Sequence, residues 1–196
     1  MSFFYFKSPA LPLPPPQYDV RQQNELNRAL RLYFNQVDNF VAPHGSFYDT
    51  TTQTAASTTT AYPITFNTTD ISLGVGIASS SRITFDTSGT YNIQFSIQMS
   101  NSSNAPQDVD IWFRLNGTDI ANSNTRFGLA ARKSVGDPFH SVGALNFFVA
   151  VKATNYVQLM WRTTSTDVSI TYYAAPTSPT RPAIPSVIAT ATWVSA

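Results

Sequence analysis

The hydrophobic positions change period once along the chain. Leu26, Leu30, Tyr33, Val37 and Phe40 follow one another at spacings of 4, 3, 4 and 3, which is one stripe of an α-helix and also the heptad seam of helices that pair with each other. From Ser46 onward the period is two. In TYNIQFSIQMS, Tyr91, Ile93, Phe95, Ile97 and Met99 share one face and Asn92, Gln94, Ser96 and Gln98 the other, so the run predicts a half-buried strand. DVDIWFRLNGTDI repeats the alternation with Val109, Ile111, Phe113 and Leu115 inward, and its Asn116-Gly117 pair predicts a tight hairpin. Further strands are expected in YPITF, ISLGVGIA, SRITF, SVGALNFFVAVKA, NYVQLMWRTT, VSITYYA and PSVIATATWV, with turn-forming segments between them. About 8–10 strands so arranged predict an all-β fold, an antiparallel jelly-roll sandwich. The last of them follows PTSPTRPAIP and is too short to fold alone. It is expected to return to the middle of a sheet while the Pro-rich loop crosses outside.

Before the helix, the prolines between Pro9 and Pro16 fix φ and remove backbone donors, which predicts an extended polyproline II spacer. Asp19 is a good N-cap with Gln22 three residues on, a capping-box-like start, and Pro43 and Gly45 should end the helix after Phe40. The expected organisation is an extended arm over 1–17, an amphipathic helix over 18–42 and a jelly-roll head over 46–196. The helical stripe has two uses: packing on the protein's own core, or pairing with copies of itself. With about three heptads and a tyrosine in the seam, a free coiled coil would be weak, so self-association needs help from the head.

Composition narrows the function classes. Charged residues make up 12% of the 196-residue chain, with 12 basic against 11 acidic, about half the usual share. Lys7, Lys133 and Lys152 are the only lysines and stand far apart, so the clustered cations that nucleic acid requires are missing. The absence of Cys excludes disulfide and thiolate chemistry. No apolar run approaches the roughly 18 residues of a membrane span. The apolar N-terminus lacks a basic leader segment and a small-residue cleavage signal, so it reads as an arm that is retained.

Candidate chemistry is sparse. His44 and His140 have no Cys or Glu at ligand spacing. No serine lies in a nucleophile-elbow pattern. Asp108 and Asp110 share a strand face next to a turn and are expected to be solvated; a calcium site on that loop is the one metal idea they raise. No enzyme activity and no cofactor are expected. The aromatic residues say more. Trp112, Phe147 with Phe148, Tyr172 with Tyr173, Trp161 and Trp193 fall on both faces of predicted strands, and both faces cannot point into one core. Packed sheets and covering loops could hide most of them; left uncovered, Trp112, Phe148 and Tyr172 would form apolar patches of the kind that mark interfaces.

SRITFDTSGTYNIQFSIQM, VDIWFRLNGTDI, GALNFFVAVKATNYVQLMWRTT and PSVIATATWV, in that order, resemble the jelly rolls of the tumour necrosis factor and complement globular-head family. Those are ten-strand jelly rolls that form tight homotrimers with aromatic residues around the threefold axis. The preceding LPLPPPQYDVRQQNELNRALRLYFNQVDN is similar to the proline strip and short helix ahead of such heads in structural proteins of tailed bacteriophages. The resemblance implies a noncatalytic homotrimeric knob on a virion, made in the host cytoplasm and carried on the extracellular particle. A collagen-like or long coiled-coil stalk is lacking, so no long fibre shaft is implied.

On this reading Leu26, Leu30, Tyr33, Val37, Phe40, Trp112, Phe148 and Tyr172 form the trimer interface. Phe3, Phe4, Tyr5 and Phe6 anchor the arm in other virion proteins of the capsid or tail, as a capsid decoration (cement) or a short fibre or spike. The alternative is a tail-fibre head that binds a host surface glycan or protein through its loops, with Arg126, Phe127, Arg132 and Phe139 as candidate receptor contacts. No nucleic-acid partner is expected.

Overall fold

The computed structural model describes residues 9–13, 16–38 and 41–196. The chain divides into two compact units, residues 1–42 with Ala196, and residues 43–195.

In the first unit the helix α1 spans Val20–Asp38. Asp19 caps it: its Oδ1 accepts the Arg21 N–H at 2.9 Å and its carbonyl accepts the Gln23 N–H at 3.1 Å, satisfying donors that the first turn leaves open. Gln22 does not complete a capping box. Its Nε2 donates instead to the Leu13 carbonyl, and Leu11 and Pro12 line an apolar hollow with Gln22, Gln23 and Leu26. The described part of the Pro-rich strip, residues 9–13, therefore lies back along the first turns of α1, where the prolines alone predict an extended spacer. Its prolines carry no N–H, so the strip has more acceptors than donors, and the Gln22 amide supplies a donor to one of them. No residue of α1 is buried. Leu26, Leu30 and Tyr33 are half-buried, Val37 is exposed, and Leu32 and Phe34 add exposed apolar surface beside the stripe. Phe40 and the cluster Phe3, Phe4, Tyr5 and Phe6 lie outside the described residues.

The second unit is all β. Its strands are β1 (His44–Asp49), β2 (Gln53–Thr54), β3 (Tyr62–Pro63), β4 (Thr68–Leu73), β5 (Val75–Ala78), β6 (Arg82–Phe85), β7 (Gly89–Asn101), β8 (Gln107–Leu115), β9 (Thr118–Asp119), β10 (Thr125–Leu129), β11 (Phe139–Val151), β12 (Tyr156–Thr163), β13 (Val168–Ile170) and β14 (Val187–Ser195). Their pairing is that of one long antiparallel hairpin rolled up. Among β1, β6, β7, β8, β10, β11, β12 and β14, first pairs with last and so on inward: β1 with β14, β6 with β12, β7 with β11, β8 with β10. Two more pairings, β7 with β14 and β8 with β12, close the roll into two sheets. The first sheet runs β11-β7-β14-β1-β4, with β13 and β2 at the far end of β7. The second runs β10-β8-β12-β6-β5, with β9 and β3 at its margins. This is the expected antiparallel jelly roll, and β14 lies inside a sheet, between β7 and β1, as its shortness required.

The core fills the space between the sheets. Phe47, Tyr91, Ile93, Phe95 and Ile97 from the first sheet meet Ile83, Phe85, Ile111, Phe113, Leu159 and Trp161 from the second. Phe95 and Phe113 lie 6.0 Å apart between ring centroids, and Phe147 stacks on Phe113 at 5.1 Å. Tyr91 is fully buried, and its hydroxyl donates to the Thr87 carbonyl at 2.9 Å. Burial first, and the Asp86 charge second, push its pKa up to about 12, because the phenolate would lose its water.

Three strands fall outside the sequence expectation: β1, the two-residue β2 and β10. β1 turns Gly45, Phe47 and Asp49 inward, so only one of its three inner positions is a large apolar residue. Buried Asp49 is satisfied locally, accepting from Thr51 N at 2.7 Å and from the Thr51 and Thr65 hydroxyls at 2.5 and 2.9 Å. β10 occupies part of a predicted loop. At the β8–β9 turn, Asn116 and Gly117 take φ of 48° and 86°, the left-handed pair that a two-residue hairpin needs.

Gly89 opens β7 at φ +149°, where a Cβ would stand 2.3 Å from Trp193 Nε1 and 2.4 Å from the Ser195 carbonyl oxygen. Gly89→Ala is expected to lower stability by about 1–3 kcal/mol. The denaturant midpoint should fall with an unchanged slope, because the site loosens the end of β7 without changing the surface exposed on unfolding.

Candidate functional site

A two-sheet sandwich has one interior and two outer faces, and here the outer faces differ in kind. On the first sheet the register sets Ala144, Ser96 and Ile188 in one row, Asn146, Gln94 and Thr190 in the next, and Phe148, Asn92 and Thr192 in a third. Val142 lies beside Gln98, and His44, Ser46, Ile71 and Leu73 continue the face across β1 and β4. None of these positions holds Asp, Glu, Lys or Arg. Phe148 is 54% and Val142 57% exposed, and Ile71, Leu73 and Ile188 are also open. Between Phe148 and Thr192, the Asn92 Oδ1 is the one buried side-chain polar atom without a hydrogen-bond partner among the described residues. Leaving such an acceptor unpaired costs about 1–3 kcal/mol.

The second sheet's outer face carries charge. Arg126, Asp110 and Arg162 stand in one row across β10, β8 and β12. Arg126 Nε and Nη2 donate to the two Asp110 oxygens at 2.8 and 3.1 Å, and Arg162 Nε donates to Oδ2 at 3.1 Å. The Asp110 side chain is only 8% exposed. The Arg126 hydrogen bond, aided by both guanidinium charges, holds its carboxyl below the usual carboxylate range against the opposing effect of burial. Two positions along β8, Arg114 Nε and Trp112 Nε1 share Asp119 Oδ1 at 2.6 and 2.8 Å. These bonds, Arg114's first, hold the Asp119 carboxyl low as well. Between the two ion-paired rows lies a shallow depression of about 430 Å³, lined by Asp110, Trp112, Asp119, Asn124, Arg126 and Arg162.

The residues singled out from the sequence are distributed unevenly over this geometry. Phe148 lies on the uncharged face and Trp112 on the charged one, so the sandwich holds them on opposite sides. Tyr172 follows β13, half-buried, with its N–H donated to Thr52 Oγ1 at 3.1 Å; next to it, the Tyr173 hydroxyl and His140 Nδ1 are 2.7 Å apart. The four proposed receptor contacts do not form a loop surface. Arg126 and Phe127 belong to β10, the first pointing out and the second packing against the core. Phe139 begins β11 and also packs against the core. Arg132 is the one left in the connection, where its Nη1 donates to the Ser102 carbonyl at 3.1 Å. Phe127 and Leu129 take up the strand period, but over five residues that signal was too short to read.

Asp110 is not solvated, contrary to expectation, since two arginines from neighbouring strands close over it. Asp119, Asn124 and Arg162 were not anticipated either. The outward set of β8, with Asp110, Trp112 and Arg114, was legible as alternation; what register places opposite it was not. Among the described residues no three His, Cys, Asp or Glu side chains gather as a metal site requires, and no helix is long and apolar enough to cross a membrane.

Compared with known proteins, the chain matches no family model, and no curated protein is detectably similar to it.

Asp110→Asn removes the charge that the two guanidinium groups share and is expected to cost about 1–2 kcal/mol, moderated because both arginines are partly in water. The wild-type carboxyl has a lower pKa folded than unfolded, so its contribution is present above the unfolded value near ~3.9 and is lost as pH falls through the folded value. The stability gap between wild type and Asp110→Asn should therefore be constant near neutrality and close in acid, as read from denaturation curves over a pH series.

Proposed function

We propose that the protein is a noncatalytic structural component of a bacteriophage virion: a homotrimeric knob tethered through its N-terminal segment, serving as capsid decoration or as a short fibre or spike. The uncharged outer face of the first sheet carries the oligomeric part of this reading. A monomer exposing that face would hold Phe148, Val142 and Ile188 in water beside a buried acceptor, Asn92 Oδ1, that no protein group satisfies among the described residues. A second copy laid on the face would remove the apolar surface from water and could supply the missing donor. Depletion of charge from the middle of a surface distinguishes interface cores from ordinary surface.

The helix supports the same reading. Its stripe of Leu26, Leu30, Tyr33 and Val37 has no buried member, and about three heptads gain enough from pairing only when a head domain brings copies together. The number three and the virion setting rest on the resemblance of the β segments and of the proline strip with its helix.

In solution the protein should have three times its 21.5 kDa chain mass, and a stable monomer at micromolar concentration would overturn the proposal. Ile188→Glu, which sets a carboxylate in the middle of the uncharged face, should give folded monomers with an unchanged circular dichroism spectrum. Deleting the first ten residues should leave the trimer intact and abolish its incorporation into particles, scored by protein content of purified virions.

A further inference from the structure

The depression on the second sheet offers a different kind of surface, and we propose that it binds a neutral saccharide. Its polar groups are held in place yet not used up. Arg162 reaches Asp110 through Nε, so both terminal amino groups keep their N–H donors. Asp119 takes both of its bonds on Oδ1, which leaves Oδ2 as an acceptor. Asn124, just before β10 and part of the same lining as Trp112, brings a donor and an acceptor together. Asp110 and Asp119 balance Arg126 and Arg162 among the lining residues, so the depression shows no net charge to an approaching ligand.

That combination fits hydroxyl groups better than anions. A phosphate or carboxylate would gain from the arginines but also meet the like charges of Asp110 and Asp119 in the same lining; a sugar hydroxyl both donates and accepts and uses the two kinds of group together. The half-exposed Trp112 indole is pinned by its N–H bond to Asp119 at 2.8 Å and lines the depression, where the C–H face of a pyranose can pack on it. Asp110, Trp112, Arg126 and Arg162 stand on strands and Asp119 on the short β9, with only Asn124 in a connection, so little conformational entropy is lost when a ligand orders them. The site lies on the opposite outer face from the proposed subunit contact and goes beyond the structural role.

The test is a titration of isotope-labelled full-length protein, followed by nuclear magnetic resonance, with neutral glucose-, galactose- and mannose-based oligosaccharides, and with glucuronate and inorganic phosphate as charged comparators. The expected result is a saturable shift of the Trp112 indole and Asn124 amide signals by a neutral saccharide, unchanged between about 50 and about 500 mM salt. The buried Trp161 signal should stay in place. Trp112→Ala and Arg162→Met should each weaken the binding by roughly tenfold or more, while Lys133→Ala leaves it unaltered. Where Trp112→Ala does not fold, Trp112→Phe and the wild-type shift map decide the matter. No saturable shift with any neutral saccharide, shifts centred elsewhere, or binding only by glucuronate or phosphate that vanishes at high salt would each overturn the proposal.

Discussion

The long strands of the sandwich turn alternate side chains toward one shared interior, and this period-two constraint governs the rest of the molecule. Once Tyr91, Ile93, Phe95 and Ile97 face inward along β7, Asn92, Gln94, Ser96 and Gln98 must face out. A slip of one residue would exchange the two sets. The constraint leaves two outer faces that the core does not shape, and the chain has filled them with opposite chemistries.

β7 is where the constraint is enforced. It pairs with β11 from Gly89 to Asn101 on one side, and with β14 and β13 in succession on the other. Its end is locked by buried Asn101, whose Nδ2 donates to the Ala105 and Ala130 carbonyls at 3.0 and 2.8 Å and whose Oδ1 accepts the Ser103 N–H at 2.9 Å. With register fixed at that end, the uncharged rows of Ser96, Gln94 and Asn92 line up with Ile188, Thr190 and Thr192. On the other sheet the same logic sets Arg126 and Arg162 on either side of Asp110. Three residues far apart in the chain thus form one ion-paired row, whose attraction is strengthened by the low exposure of the central carboxylate.

The N-terminal unit follows local rules. Asp19 caps α1 whatever surrounds it, because the bonds it makes are with its own first turn. Gln22 shows the limit of such rules: it stands where a capping box would use it, yet its amide goes to the Leu13 carbonyl. A proline-rich strip has more acceptors than donors, so a nearby side-chain donor has a stronger claim there than at a helix end already capped by aspartate.

The elements themselves were legible from local pattern: the helix and its cap, the strands of unbroken alternation, the Asn116-Gly117 turn, and the inward position of the last strand. β1 and β10 were not, because one places Gly45 and Asp49 on its inner face and the other is five residues long; both are strands because neighbouring strands supply their hydrogen bonds. The aromatic residues showed that more than one face was apolar, but which of Trp112 and Phe148 shares a face with charge depended on the sheet each joined. Sequence by itself determined the period of each segment, and with it the fold class, since side-chain alternation is a property of the strand. Tertiary structure alone decided the row of Arg126, Asp110 and Arg162 and the uncharged face around Asn92, because register between strands distant in the chain is set by the packing of the whole core.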